Sequence, residues 1–383
     1  MPSQLPSPTI VSTLDDLHKL ARRLQKESLV AVDTESNSLF AYQEQVCLVQ
    51  LSTRTDDWVV DPLAIGDLTP LASLFADPNI EKIFHAAEYD ILCMKRDFGF
   101  IFANLFDTMV TARIIGRKTF GLAAMLEEFF GIEVNKRFQR ADWSIRPIPP
   151  DQLRYAQIDT HYLPALRDIL VERLQEGGHL EESREAFDWL ANLPVAEHAF
   201  DPEGYWRINE ARDFNRRQMA ILRELYLLRD QLARRRDLPP FKIMGDSGLV
   251  KIAEAAPATF EDLRALGGGL SQHLLERQGS AILSAVQRGL HATPPTPPHR
   301  TPRLDPVTQS RYDALHDWRK ARAVERGVES DVIIPKEALW ALARNAPRSM
   351  SELDQIPGIG PWKKGKYGED ILHLLMSLPE TEP

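Results

Sequence analysis

At 383 residues, 43% of them hydrophobic and 26% charged, the chain has ordinary globular composition and is too long for a single core, so two or three domains are expected. No apolar run is long enough to span a bilayer, and the start Met1-Pro2-Ser3-Gln4-Leu5-Pro6 lacks the basic-then-apolar layout of a secretory leader, so neither a membrane span nor a secretory signal is expected. The net charge of −9 is uneven: residues 1–200 carry 19 Lys+Arg against 30 Asp+Glu, residues 201–383 carry 27 against 25, and the second half holds Arg212, Arg216, Arg217, Arg223, Arg229 and the run Arg234-Arg235-Arg236.

Residues 11–27 read as a helix, with Thr13 as N-cap and Leu14, Leu17, Leu20, Ala21 and Leu24 at helical spacing. Leu29-Val30-Ala31-Val32 is a buried strand that turns acidic at Asp33-Thr34-Glu35. Val46–Leu51 and Trp58–Asp61 follow as strands joined by a polar turn, which predicts an antiparallel meander. A helix near 68–75 leads to a fourth strand, Lys82-Ile83-Phe84-His85, and the pattern is then largely helical to about 190, with an irregular stretch at 134–150. Cys47 and Cys93 both sit among apolar neighbours and read as buried thiols of a reducing, cytoplasmic compartment, not as a disulfide or a zinc site. The fold class expected is α/β, a mixed sheet flanked by helices, followed by all-α modules.

Residues 194–208, with Pro194, Pro202 and Gly204, read as a linker, and the proline-rich stretch from Thr293 through Pro302 as another. The helical regions on either side of the second linker resemble each other. One runs helix, Leu238-Pro239-Pro240-Phe241, short helix, Ala256-Pro257-Ala258-Thr259, helix; the other runs helix, Asp331-Val332-Ile333-Ile334-Pro335, short helix, Ala346-Pro347-Arg348-Ser349, helix. This is a tandem repeat. It departs from itself once, where Gly267-Gly268-Gly269-Leu270-Ser271 stands against Ile356-Pro357-Gly358-Ile359-Gly360. The segment Gly360–Tyr367 nearly spells a phosphate-binding loop, but it lacks the Ser/Thr and the preceding strand, so no ATP is expected.

Asp33 and Glu35 are two apart in extended chain and therefore share one side of their strand. Asp-x-Glu is short and also fits a strand end running into a solvated loop, so partners must decide. Asp90, in the first turns of the helix after His85-Ala86-Ala87, lies near a strand end, where α/β sheets gather their sites; an ordinary first-turn acid fits as well. In Asp151–Leu163, with Asp151 as N-cap, Tyr155 and Asp159 are four apart and share a helix face. Clustered carboxylates call for a compensating divalent cation.

Taken together, Asp33-Thr34-Glu35, His85 through Asp90, and Tyr155-Ala156-Gln157-Ile158-Asp159 resemble the three motifs of the DEDD 3′–5′ exonucleases, which have a ribonuclease H-like fold. The tyrosine indicates the DEDDy branch, and Gln139-Arg140-Ala141-Asp142-Trp143-Ser144-Ile145-Arg146-Pro147 is similar to a segment of the ribonuclease D family. The two repeats resemble HRDC modules, also found in RecQ-type helicases. The resemblance implies an exonuclease domain at 1–200 and HRDC-type domains at 207–290 and 307–379. It further implies two divalent metal ions, Mg²⁺ or Mn²⁺, held by Asp33, Glu35, Asp90 and Asp159, with Tyr155 orienting the attacking water. His85, Gln50, Trp143 and Arg146 are candidates for supporting the site or contacting the 3′-terminal nucleotides. The substrate implied is RNA with a free 3′ end, tRNA precursors among them, processed to nucleoside monophosphates by a monomer. A 3′–5′ DNA exonuclease would use the same acids, and a non-catalytic RNA-binding scaffold is the reading from another class. The intact acid set speaks against the scaffold.

Overall fold

A computed structural model describes residues 5–195, 199–268, 270–298 and 305–378. Met1–Gln4, residues 196–198 of the first expected linker, Gly269, Pro302 and residue 379 lie outside the described residues. The chain forms two compact units, one of Met1–Ser36, Val46–Val195 and Leu304–Pro383, the other of Asn37–Gln45 and Ala196–Arg303.

The first unit is built on a six-stranded mixed sheet in the order β1-β4-β3-β2-β5-β6. Its strands are β1 (Thr9–Val11), β2 (Leu29–Ser36), β3 (Val46–Ser52), β4 (Asp57–Val60), β5 (Glu81–Phe84) and β6 (Leu105–Asp107). β2, β3 and β4 form the expected antiparallel meander, and β5 and β6 extend it in parallel on the β2 side. Val30, Ala31 and Val32 of β2 are fully buried, so this apolar run fixes the strand at the centre of the core. β1 and β6 went unread in the sequence; β1 takes Val11, the expected first residue of a helix that in fact spans α1 (Leu14–Leu24), capped by Thr13, which accepts from Asp16 N at 3.2 Å. Helix α2 (Glu88–Phe98) carries Asp90. Helix α3 (Pro150–His161) lies across β2, β3 and β4. Its N-cap is Pro149, not Asp151; Asp151 sits in the first turn, paired with Arg137 at 2.7 Å. α4 (Leu163–Glu176) and α5 (Leu180–Ala191) complete the core under the sheet through Leu166, Leu170, Leu174 and Phe187.

In the second unit, α6 (Arg216–Arg236) and α7 (Gln272–His291) pack together, and Asn215 closes α6 with a capping box. Tyr205 and Ile208, at the end of the stretch read as a linker, are buried in this unit's core; the aromatic ring outweighs the Pro and Gly signals around it. The β2–β3 connection also belongs here. Tyr42 donates from Oη to Asp230 at 2.6 Å and accepts from Arg234 Nε at 2.8 Å, and the Lys242 ammonium lies 3.7 Å from the Phe40 ring centroid.

The repeat is visible in matching contacts. Buried Arg229 donates to Met244 O at 3.1 Å, and buried Arg319, in α8 (Pro306–Arg326), donates to Ile334 O at 3.1 Å. Ala256 and Ala346 both end helices with left-handed φ, 46° and 42°, and Thr259 and Ser349 both cap the next one. Each partner is 90 residues from its equivalent. The second repeat ends in α9 (Pro361–Ser377) and belongs to the first unit.

Candidate active site

Three elements meet at the end of β2. The pleat turns Asp33 and Glu35 to one face, and the antiparallel register sets Gln50 of β3 directly opposite Asp33 on that face. α3 brings Tyr155 and Asp159 over the same face, one helical turn apart. Carboxylate oxygens of Asp33, Glu35 and Asp159 all lie within 4.8 Å of one another. Asp90 is beside this trio and 6% exposed. Its Oδ1 accepts from both the backbone N–H (3.1 Å) and the hydroxyl of Thr34, the residue between the two β2 acids whose side chain faces the other way.

The geometry is costly without a counter-charge. Burial, then the charges of Asp90, Asp159 and Glu35, push the Asp33 carboxyl well above its usual range. Burial, then Asp159 and Asp90, do the same to Glu35. Burial raises Asp90 to about 7 against the pull of its Thr34 hydrogen bonds, and burial with Asp90 raises Asp159 to about 7. An all-oxygen donor set under mutual repulsion suits a hard divalent cation. Gln50 adds a second sign of fit: it is fully buried, and neither its amide nitrogen nor its oxygen has a partner among the described residues. A carboxamide orphaned on the acidic face matches a site completed by bound ions and their water.

The Tyr155 ring lies tilted at 6.1 Å from Trp143 and edge-on at 6.0 Å from Phe138, centroid to centroid. Burial, then the charges of Asp159, Glu35 and Asp33, drive its phenol pKa far up, so at neutral pH it is a hydrogen-bond donor. Asp159 takes one such bond from it. His85 bonds Thr108 Oγ1 through Nδ1 at 2.9 Å, and the Thr108 hydroxyl spends its one proton on Phe84 O at 3.0 Å. Nδ1 is therefore the protonated nitrogen, Nε2 is an acceptor, and burial holds the ring neutral. Trp143 is 2% exposed, in a small core with Cys47, Leu48, Val59 and Ala156, and its indole nitrogen has no partner among the described residues. Burial pushes the Cys47 thiol up to about 12, consistent with an inert buried residue. Arg146 is engaged inside the protein: it grips Asp61 at 2.7 and 2.9 Å and donates to the carbonyls of Trp143, Ile145 and Cys47. Asp142, four residues before it, accepts instead from the backbone N–H and hydroxyl of Ser144.

Two supporting roles escaped the sequence reading, the second at a residue of the 139–147 segment already noted. Asp107, 1% exposed, accepts from Ala86 N, Ala87 N, Met109 N and Val110 N at 2.6–3.2 Å. It thereby holds the left-handed turn at Ala86, φ 64°, that launches α2 and aims Asp90. Gln139, hydrogen-bonded to the Tyr155 hydroxyl, is the other. Asp107 precedes a helix, Thr108–Ile114, which was signal enough for a cap but not for its second task 21 residues away.

A mixed sheet of this order, with clustered acids on its central strand and a tyrosine one turn before the last acid, defines a 3′–5′ exonuclease domain of the DEDDy class. The family model described as 3′–5′ exonuclease matches residues 8–175, and that of the HRDC domain matches 218–286 and 308–375. Ribonuclease D of Gluconacetobacter diazotrophicus is 35% identical over 73% of this chain and 72% of its own. Ribonuclease D of Granulibacter bethesdensis is 31% identical over 97% of this chain and 93% of its own. The crystal structure of Escherichia coli RNase D, described as an exoribonuclease involved in structured RNA processing, superposes with a TM-score of 0.69 at 26% identity, over 98% of this chain and all of that one. The chain belongs to the ribonuclease D family: it is an enzyme, a 3′–5′ exoribonuclease with two HRDC domains.

Proposed function

We propose that the enzyme trims 3′ ends of structured RNA, tRNA precursors among them, by hydrolysis to nucleoside monophosphates, with two Mg²⁺ or Mn²⁺ ions held by Asp33, Glu35, Asp90 and Asp159. The observation that carries this reading is the convergence of the Asp33, Glu35 and Asp159 carboxylates within 4.8 Å, with Asp90 pinned beside them. When bound, such ions neutralise the four acids and stabilise the attacking and leaving oxygens of an in-line displacement. Tyr155 donates its hydroxyl proton within the site and positions, without accepting, a proton. Trp143 and Phe138 fix its ring, and Asp107 and Thr34 fix Asp90. His85 offers Nε2, and Gln50 its amide, to the terminal nucleotide or its water. For Arg146 the role is to hold the 139–147 segment on Asp61; a phosphate would have to displace that carboxylate.

The functional modules on this reading are 1–200, 207–290 and 307–379, acting as a monomer in the cytoplasm without ATP. Among the described residues no helix is long and apolar enough to cross a membrane.

Tyr155→Phe is expected to lower kcat about 10–100-fold and leave RNA affinity within about twofold, because only a donor is lost from a ring held by packing. Single-turnover rates and binding isotherms separate the two effects; an affinity loss with normal turnover would remove Tyr155 from the chemistry. The reading as a whole is tested with one 5′-labelled RNA carrying a hairpin and a single-stranded 3′ tail, and its DNA twin. A ladder shortening from the RNA 3′ end with Mg²⁺ or Mn²⁺, absent with EDTA and weak on DNA, supports it. A ladder on DNA alone changes the substrate, and binding with no ladder turns the reading to a scaffold.

A further inference from the structure

The last helix of the second HRDC domain begins in a way its counterpart does not. In the first domain, α7 is capped by its own Ser271, whose hydroxyl accepts from Leu274 N at 3.1 Å. In the second, the N-cap of α9 is Gly360, which has no side chain to offer. The first N–H groups of a 17-residue helix are unsatisfied donors at the positive end of its dipole, an environment that takes a phosphate or a carboxylate.

Here it is filled from the exonuclease domain. The Glu185 carboxylate, on α5, accepts from Gly360 N (3.2 Å), Trp362 N (2.6 Å), Lys363 N (3.3 Å) and the Lys363 ammonium (3.0 Å). Glu185 and Lys363 are each 11% exposed, so the bonds act largely away from water. The glycine is required by close approach: a Cβ on Gly360 would stand 2.4 Å from Glu185 Cδ. One turn back on the same face of α5, Glu182, 1% exposed, is gripped by both terminal nitrogens of Arg326 at the end of α8. Arg326 also donates to Ile114 O at 3.0 Å, and Arg113 reaches Glu329 and Asp331 in the other direction. The two carboxylates of α5 thus meet two cations and one helix end of the second HRDC domain.

We propose that the start of α9 is an anion cradle turned inward, whose ligand is Glu185, so that this face of the second HRDC domain is a docking surface for α5 and not a grip for RNA phosphate. The near-match to a phosphate-binding loop at Gly360–Tyr367 then has an explanation in charge: the segment does bind an anion, and the anion belongs to the same chain. RNA affinity falls to the first HRDC domain and to other faces of the second. This extends the exonuclease reading without resting on it, since docking needs neither metal nor turnover.

The test is amide hydrogen exchange on the full chain without metal or RNA, comparing wild type, Glu185→Gln and Gly360→Ala. Glu185→Gln keeps the shape and removes the charge, and Gly360→Ala keeps the charge and fills the cradle. In both, segments 179–192 and 358–366 are expected to exchange about tenfold faster together, with the β-sheet unchanged. Ser271→Ala serves as a local control, loosening only the start of α7. Faster exchange confined to 360–363, with 179–192 still protected, would overturn the docking role. So would a second run on wild type with a 3′-tailed RNA added, if the RNA protected 360–364 and exposed 179–192, because that would make the cradle a phosphate site that Glu185 merely covers.

Discussion

Asp33→Asn is expected to lower turnover by at least about a thousandfold and, in the absence of metal, to raise the melting temperature. The two effects share one cause. Asp33 is recessed among Glu35, Asp90 and Asp159, and burial with their charges pushes its carboxyl well above its usual range. A charge held there without a counter-ion destabilises the fold, and the isosteric amide removes it with little change of shape. The same substitution takes a ligand from the centre of the oxygen cluster, so the remaining acids no longer balance divalent charge. Single-turnover hydrolysis of a 5′-labelled RNA measures the first effect, and melting in EDTA the second. Turnover within tenfold of wild type would sink the site assignment. A lowered metal-free melting temperature would instead mark Asp33 as structural.

What the sequence made legible was local. The β2 acids follow from a period of two, Tyr155 and Asp159 from a spacing of four, and the repeat from matching punctuation 90 residues apart. The first two depend on residues within a few positions of one another, and the repeat on comparing two such local patterns. What stayed hidden depends on pairs that only the fold brings together. Thr34 reaches Asp90 across 56 residues, Arg146 reaches Asp61 across 85, and Glu185 reaches Trp362 across 177. Arg146 shows the consequence for function: an arginine beside a catalytic motif looks like a phosphate ligand until its five donors are traced to a carboxylate and three carbonyls. β1 and β6 escaped for another reason, since three residues give too little alternation to separate a strand from its flanks. The membership of residues 37–45 in the second unit was hidden by adjacency: they follow β2 directly, yet Tyr42 and Phe40 find their partners on α6 and at Lys242.

The metal-free enzyme is expected to become less stable as pH rises from about 4 to about 7, the reverse of a protein held by salt-bridged acids. Asp90 and Asp159 stand at about 7 in the folded state against 3.8 for the free side chain, chiefly through burial, and Asp33 and Glu35 are raised too. Below about pH 4 both folded and unfolded chains hold these protons and the acids cost nothing. Between about 4 and 7 the unfolded chain releases them and the folded one does not, so stability falls with each pH step. Above about 7 Asp90 and Asp159 ionise in the folded chain as well, and their share of the loss is complete. One acid displaced from 3.8 to about 7 costs on the order of 4 kcal/mol at neutral pH, and the coupled set does not add beyond a fraction of its sum. Asp61 runs the other way: burial would raise it, but Arg146 overrides burial and holds it low, so its contribution is lost only on acidification below about 4. Mg²⁺ binds the ionised cluster, and its stabilisation should therefore be large at about pH 7.5 and small at about pH 5. Melting curves at those two pH values, with EDTA and with Mg²⁺, read the effect directly. Wild type should show a rise of several degrees with Mg²⁺ at the higher pH alone, and Asp159→Asn should flatten both the pH slope and the Mg²⁺ response. A metal-free melting temperature that climbs from about pH 5 to about pH 7.5 would mean that the four acids are not held together as an uncompensated cluster, and the site as drawn would fall with it.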